Sequence, residues 1–199
     1  MNYKNTKEGF KKLYIAAILM IISDLSGLIK DKTENVYIYI SLALVICGIV
    51  AFFLNFKGLK LCALDDSGYY QAYLFSIVGL VIGLVGTVIS LIFKVQWLDV
   101  CVQSISNFCE FMVIWEVLMT SSYILDKKDN EKLAKSARTT AYCHLAIFIV
   151  QLLLSYYHVD IAQTGETLVI GVIAIIIAIV AVVAEIKYFL FIKNMKNAL

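Results

Sequence analysis

The amino-acid sequence predicts an all-α fold: a polytopic membrane protein built as a six-transmembrane-helix bundle, with both termini cytoplasmic. Of its 199 residues, 61% are hydrophobic and only 16% are charged, a more apolar balance than soluble globular domains of this length carry. Six apolar windows are each long enough to cross a bilayer, which takes about 17 to 25 residues. Lysine and arginine are concentrated in alternate connections, as an alternating topology requires.

The predicted spans cover residues 13–29, 36–56, 73–93, 97–125, 139–159 and 168–192. They leave no room for a soluble domain, so residues 1–199 are interpreted as a single six-helix membrane domain. The longest connections, 57–72 and 126–138, are too short to bury a core of their own. We therefore expect them to extend the flanking helices.

The distribution of the basic residues indicates how the chain is oriented in the cell membrane. If the N-terminus is cytoplasmic, all of the 17 lysines and arginines except Lys30, Lys32 and Lys94 fall on the cytoplasmic side. The net charge of +2 then follows from loop topology, and no nucleic-acid-binding surface is predicted. The first span lacks an A-x-A cleavage site and is interpreted as a retained helix instead of a signal peptide.

Residues typical of metal sites, disulfides or catalysis form no recognisable pattern. The five cysteines contain no C-x-x-C pair and are expected to be free thiols. The two histidines lie too far apart in predicted depth to share a metal, and no hydrolase, metalloprotease or phosphate-binding motif is present. We therefore predict no metal, no cofactor and no catalytic residue, and the protein is not expected to be an enzyme. The exception left open is an intramembrane enzyme without a recognisable motif.

Small residues form a stripe on each of two spans, and both stripes predict close helix packing. On the third span the members recur at spacings of 3, 4, 3 and 4: Ser76, Gly79, Gly83, Gly86 and Ser90. On the sixth span the stripe contains Gly171, Ala174, Ala178 and Ala181, and its next step is Glu185. Because the chain contains no proline, all six helices are expected to be continuous.

The fourth span carries polar residues that hydrocarbon cannot solvate. Asp99, Gln103, Ser106 and Glu110 are spaced 4, 3 and 4 and fall within about 60° on one helical face, with Asn107 at its edge. That face is expected to point towards protein or water. Asp99 lies near the outer interface, whereas Glu110 lies near the bilayer midplane. A structural Glu110 would be protonated or hydrogen-bonded, and a functional one would bind a ligand or exchange protons.

Other ionisable residues fall at matching depths on neighbouring spans. Glu116, His144 and Glu185 share a predicted depth in the cytoplasmic half, where a Glu–His pair could relay protons. Glu116 lies about 120° around the fourth helix from Glu110, so the two cannot share one narrow face. Asp24 could join Asp99 and Gln103 around an outward-facing opening. The alternative for all of these residues is a hydrogen-bonded or interfacial position without further function.

Two functional hypotheses follow. The first is a membrane protein that binds or transports a small polar or cationic solute, or protons, through a polar interior centred on the fourth span. The second is a non-transporting membrane partner that uses polar and small-residue helix faces to bind another membrane protein or a second copy of itself. In both, the lipid bilayer is the surrounding partner. The carboxylates within the spans favour the first hypothesis because each is costly there.

Overall fold

The computed structural model describes residues 3–24, 35–93, 96–161 and 167–199, with side chains except at positions 24, 35–38, 90–91, 93, 96–99, 154–161, 167–175 and 177. These ranges form six α-helices and no strand, which confirms the all-α prediction for this part of the chain. The helices are α1 (Lys4–Asp24), α2 (Asn35–Cys62), α3 (Ser67–Phe93), α4 (Gln96–Asp126), α5 (Glu131–Ile161) and α6 (Thr167–Ala198). The predicted windows fall on these helices, except that residues 25–29 lie outside the described ranges.

Three helices are long and apolar enough to cross a membrane, judged by length and composition within the described residues. Their qualifying segments are Tyr39–Cys62, Ser67–Ile89 and Val100–Asp126. Large apolar side chains on α2 and α3 are exposed on the surface of the chain, among them Phe53, Leu84 and Val88. Such a surface is unusual for a soluble monomer and suits contact with hydrocarbon.

The chain divides into two compact units. The first unit comprises Met1–Tyr70 and Ile192–Leu199, and the second comprises Gln71–Phe191. In the first unit α1 packs along α2. The two helices approach closely at paired glycines, since a Cβ at Gly9 would lie 2.7 Å from the carbonyl oxygen of Gly58. Near the C-terminus, the Nζ of Lys196 lies 3.9 Å from the ring centroid of Tyr14, a cation–π distance that ties the end of α6 to α1.

The carboxylate of Asp65, which follows α2, binds the first turn of α1. Asp65 accepts hydrogen bonds from the backbone N–H of Thr6 at 2.6 Å, the Thr6 hydroxyl at 2.8 Å and the Asn5 amide at 2.9 Å. The first turn of a helix has unpaired N–H groups and a positive dipole end, so an acceptor carboxylate is favourable there. Its neighbour Asp66 accepts from the N–H of Gly68 and caps α3. Only residues 63–66 separate α2 from α3, so both helices extend into the connection as expected.

In the second unit α4 packs against α5, and a four-residue turn joins them. Asp129 has a φ of 56°, while the N–H groups of Asn130 and Asp129 bond to the carbonyls of Leu125 and Asp126 at 2.9 and 3.1 Å. This pair of bonds is a Schellman motif, which normally places glycine at the left-handed position. Arg138 adds a bidentate ion pair to Asp126 at 3.0 and 3.4 Å. The turn therefore holds α4 and α5 as one hairpin.

The glycines of the α3 stripe lie against α4. A Cβ at Gly79 would lie 3.0 Å from the Cβ of Cys109, and one at Gly86 would lie 2.6 Å from a methyl group of Val102. At Gly83 the nearest atom would be the Ser106 hydroxyl at 3.9 Å, an ordinary contact. Ser76 is half-buried on the same helix, and the side chain of Ser90 lies outside the described residues. The approach of the two helices is therefore tightest at Gly79 and Gly86.

These distances give a matched pair of substitutions. We expect Gly86→Ala to lower the free energy of unfolding by about 1–3 kcal/mol, because the added methyl group overlaps Val102. Gly83→Ala should leave stability unchanged or slightly raised, since the site has room and alanine is the better helix former. Thermal unfolding of the purified protein in mild detergent measures both. Adding Val102→Ala to Gly86→Ala should restore most of the loss, and equal losses for the two glycine variants would contradict the packing.

Candidate functional site

A cavity of about 210 Å³ lies within the second unit, between α4, α5 and α6. Each helix contributes residues at helical spacing, so one face of each points into it. The polar lining residues are Asn107, Glu110, His144, Gln151 and Glu185. The apolar lining residues are Phe111, Ile114, Ile147, Phe148 and Ala181. The cavity therefore combines two carboxylates, two amides and an imidazole with an aromatic and aliphatic wall.

His144 is the most enclosed polar residue of this lining. Its side chain is 8% exposed, whereas the Glu185 side chain opposite is 64% exposed. The imidazole Nδ1 lies 2.9 Å from the backbone carbonyl oxygen of Thr140. The other ring nitrogen, Nε2, lies 3.4 Å from Oε1 of Glu185, yet it has no hydrogen-bond partner among the described residues. A buried polar atom in that condition calls for an explanation, such as a bound ligand or water.

Aromatic rings form the wall between α4 and α5. Phe111 and Phe148 stack with centroids 4.8 Å apart and planes 10° from parallel. Trp115 follows on the same side, with its centroid 5.9 Å from Phe111, and it also contacts Tyr142 at 5.8 Å. The rings therefore give the cavity an apolar wall on this side. Trp115 lies behind the wall and is placed to report on changes in the cavity.

The predicted polar stripe of α4 divides into two faces. Asn107 and Glu110 line the cavity, and the exposed Gln103 donates a hydrogen bond to Asn107 at 2.8 Å. Ser106, expected within this stripe, instead faces Gly83 of α3. At 100° per residue, Ser106 lies between the cavity face and the face formed by Val102 and Cys109. The polar face is therefore centred on Glu110 and Asn107, with Ser106 at its edge.

The cluster predicted in the cytoplasmic half is only partly assembled. His144 and Glu185 meet, but they share the cavity with Glu110 and not with Glu116. Glu116 is half-buried and is not part of the cavity lining. Six residues separate it from Glu110, which turns it about 120° away, so helix geometry accounts for the difference.

The remaining predicted residues have varied locations. On α6, Ala178 is exposed while Ala181 and Glu185 line the cavity, so the stripe leads into the site. Four predicted positions have side chains outside the described residues: Asp24, Asp99, Gly171 and Ala174. Sequence reasoning missed Gln151, Phe111 and Phe148. The spacing of His144, Phe148 and Gln151 at i, i+4 and i+7 was the available signal, since it places all three on one face of α5.

The potential metal ligands and the cysteines limit the chemistry that the described residues can support. Within the described residues no group of three or more His, Cys, Asp or Glu side chains could hold a metal ion. Cys62 and Cys109 are buried, and all five cysteines are free thiols.

Comparisons with protein-family models, with curated proteins and with solved structures found no match. The cavity is therefore the feature of the molecule that bears on function.

Two adjacent positions on α4 test whether the cavity is accessible to water. In a variant with the five native cysteines replaced, we expect Asn107→Cys to react with a water-soluble thiol reagent about tenfold faster than Ser106→Cys, because reaction requires an accessible thiolate. Asn107 lines the cavity, and Ser106 faces α3. Labelling rates of folded protein in membrane vesicles give the comparison. Equal rates, or a faster Ser106→Cys, would contradict this assignment of the two faces.

Proposed function

We propose that the protein is a multi-pass membrane protein that binds a small organic cation, of the ammonium or guanidinium class, and carries it across the cell membrane. The observation that supports this most is the cavity itself. It presents Glu110 and Glu185 from different helices, together with a buried imidazole nitrogen that has no hydrogen-bond partner among the described residues. Its remaining surface is mainly aromatic and aliphatic.

The charge of the side chains that line the cavity favours a cationic ligand. Among the described residues no lysine or arginine lines the cavity, so its two carboxylates face at most one positive charge, that of a protonated His144. A cleft lined by one sign of charge concentrates ions of the other sign. An ionised carboxylate is costly within a membrane, and a bound cation would offset that cost.

Size and shape narrow the ligand class. The cavity volume of about 210 Å³ lies below the range of roughly 300–1,000 Å³ that holds drug-sized molecules, so a ligand of few heavy atoms is indicated. Phe111 and Phe148 line the cavity as a stacked pair and suit the apolar part of such a ligand. Carboxylate and amide oxygens supply acceptors for its N–H groups. An ammonium or guanidinium ion on a short carbon chain meets these requirements.

The proposal includes six membrane spans with both termini cytoplasmic. The first unit supports this topology, because it brings three segments together: the first turn of α1, the α2–α3 connection and the end of α6. An even number of crossings places these three on one side. Lysines lie in or beside each of them, among them Lys4, Lys60 and Lys196, and such segments remain in the cytoplasm.

The competing proposal, a non-transporting partner subunit, would use small-residue faces to bind another protein. The glycines of α3 already pack against α4 of the same chain. This leaves that stripe unavailable to a partner and favours the solute-binding proposal.

Reporter fusions test the topology. A phosphatase that is active only outside the cytoplasm should be inactive when fused after Leu199 and active when fused after Val95, because an even number of spans precedes the first site and an odd number the second. The matched fusion after Lys128 should also be inactive. Activity of the Leu199 fusion would contradict six spans with cytoplasmic termini.

Ligand binding tests the function directly. Methylguanidinium and methylurea have nearly the same shape, but only the first is charged. In a Trp97→Phe variant, the fluorescence of Trp115 should change saturably with methylguanidinium and not with methylurea. Glu110→Gln and Glu185→Gln should each weaken binding by about 10- to 100-fold, the effect of losing a charged hydrogen bond.

Glu116→Gln is the matched control, because it removes a carboxylate from the same helix outside the cavity. Its affinity should equal that of the unmodified protein. The proposal is wrong if methylguanidinium and propylammonium both fail to bind, if methylurea binds as well as methylguanidinium, or if Glu116→Gln weakens binding as much as Glu110→Gln.

A further inference from the structure

The contact between His144 and Glu185 leaves a place for one exchangeable proton between a ring nitrogen and a carboxylate oxygen. Since a carbonyl oxygen can only accept, the contact with Thr140 requires the proton of a neutral imidazole to be on Nδ1. Nε2 then presents a lone pair towards Oε1 of Glu185 unless one more proton is present. That proton can be on Nε2, giving an imidazolium and a carboxylate, or on Glu185, giving two neutral groups. In either case the pair carries no net charge.

Removing this proton leaves two acceptors facing each other across 3.4 Å. Nε2 is buried and has no alternative hydrogen-bond partner among the described residues, so it gains nothing by turning away. A buried acceptor without a donor is costly. A ligand that supplies N–H donors and a positive charge would remove this cost, because it satisfies both acceptors and restores the neutrality of the pair.

We propose that the organic cation binds by replacing this proton, so that each binding event releases one proton from the His144–Glu185 pair. This inference rests on the proposed function and adds its coupling to protons. The step is balanced: the protonated protein and one free cation give the protein–cation complex and one proton, which passes to water through the exposed side of Glu185. No covalent bond other than the one to the proton is broken, and the net charge is conserved.

Other titratable groups face the same space. Glu110 lines the cavity from α4, and the Tyr188 ring on α6 meets His144 edge to face, with centroids 5.9 Å apart. Glu110 is the competing source of a released proton, because it is the other carboxyl group of the lining. Tyr188 is a second source that has to be separated. A variant of each of these two residues therefore distinguishes their protons from that of the His144–Glu185 pair.

Proton coupling fixes the sign of the pH dependence. While the pair holds its proton, raising the pH removes the competitor, so the dissociation constant for a permanently charged guanidinium should fall about tenfold per pH unit. Above the titration of the pair, affinity should no longer depend on pH. Methylguanidinium is the suitable probe because it does not itself titrate near neutrality.

Calorimetry of methylguanidinium binding counts the protons. Titrations of the full-length protein in two buffers of different ionisation enthalpy should show release of about one proton per cation bound. His144→Asn should bind with no proton release and no pH dependence. Glu110→Gln should bind more weakly but keep the release, and Tyr188→Phe should keep both. Glu185→Gln provides a second removal of the pair, for use if His144→Asn does not fold.

The outcomes separate this inference from the proposed function. Saturable binding without proton release would overturn the coupling and leave the cation site intact. Loss of the release in Glu110→Gln, with retention in His144→Asn, would assign the proton to Glu110 and equally overturn it. Absence of any binding at every pH would instead refute the cation site, and the coupling with it.

Discussion

A carboxylate on an apolar helix must have water or a polar partner, and this constraint accounts for the arrangement of the second unit. Glu110 and Glu185 come from different helices, yet both line the same cavity. On α6 the exposed residues Ile179 and Val183 lie about 160° around the helix from Ala181. On this helix the residues that line the cavity and the exposed branched aliphatic residues therefore lie on opposite faces.

Features of the structure could be predicted from the sequence where they depend on residues close together in the chain. Composition and window length predicted an all-helical chain, and spacing alone identified the glycine face of α3. Spacing also placed Gln103, Asn107 and Glu110 near one another. It could not show that Ser106 turns towards α3, because a residue 40° to 60° from the centre of a stripe belongs to whichever neighbour is closer. Nor could it choose between Glu110 and Glu116 as neighbours of His144, since depth along a helix does not identify the facing helix.

The first unit illustrates a different limit. Thr6 and Asp65 are far apart in sequence, and neither belongs to a recognisable motif. Their contact nevertheless supplies the acceptor that the start of α1 lacks. A capping residue taken from another segment leaves no periodic pattern, because only the folded backbone brings the two together.

The turn between α4 and α5 has a mechanical consequence. Its Schellman bonds and the Asp126–Arg138 pair hold together α4 and α5, two of the three cavity walls, whereas α6 meets α5 at His144 through Glu185 and Tyr188. We therefore expect the cavity to change width more readily between α5 and α6 than between α4 and α5. If a proton or cation binds there as proposed, its presence would draw α5 and α6 together, and its loss would leave two acceptors that repel. Occupancy of the site and width of the cavity would then change together.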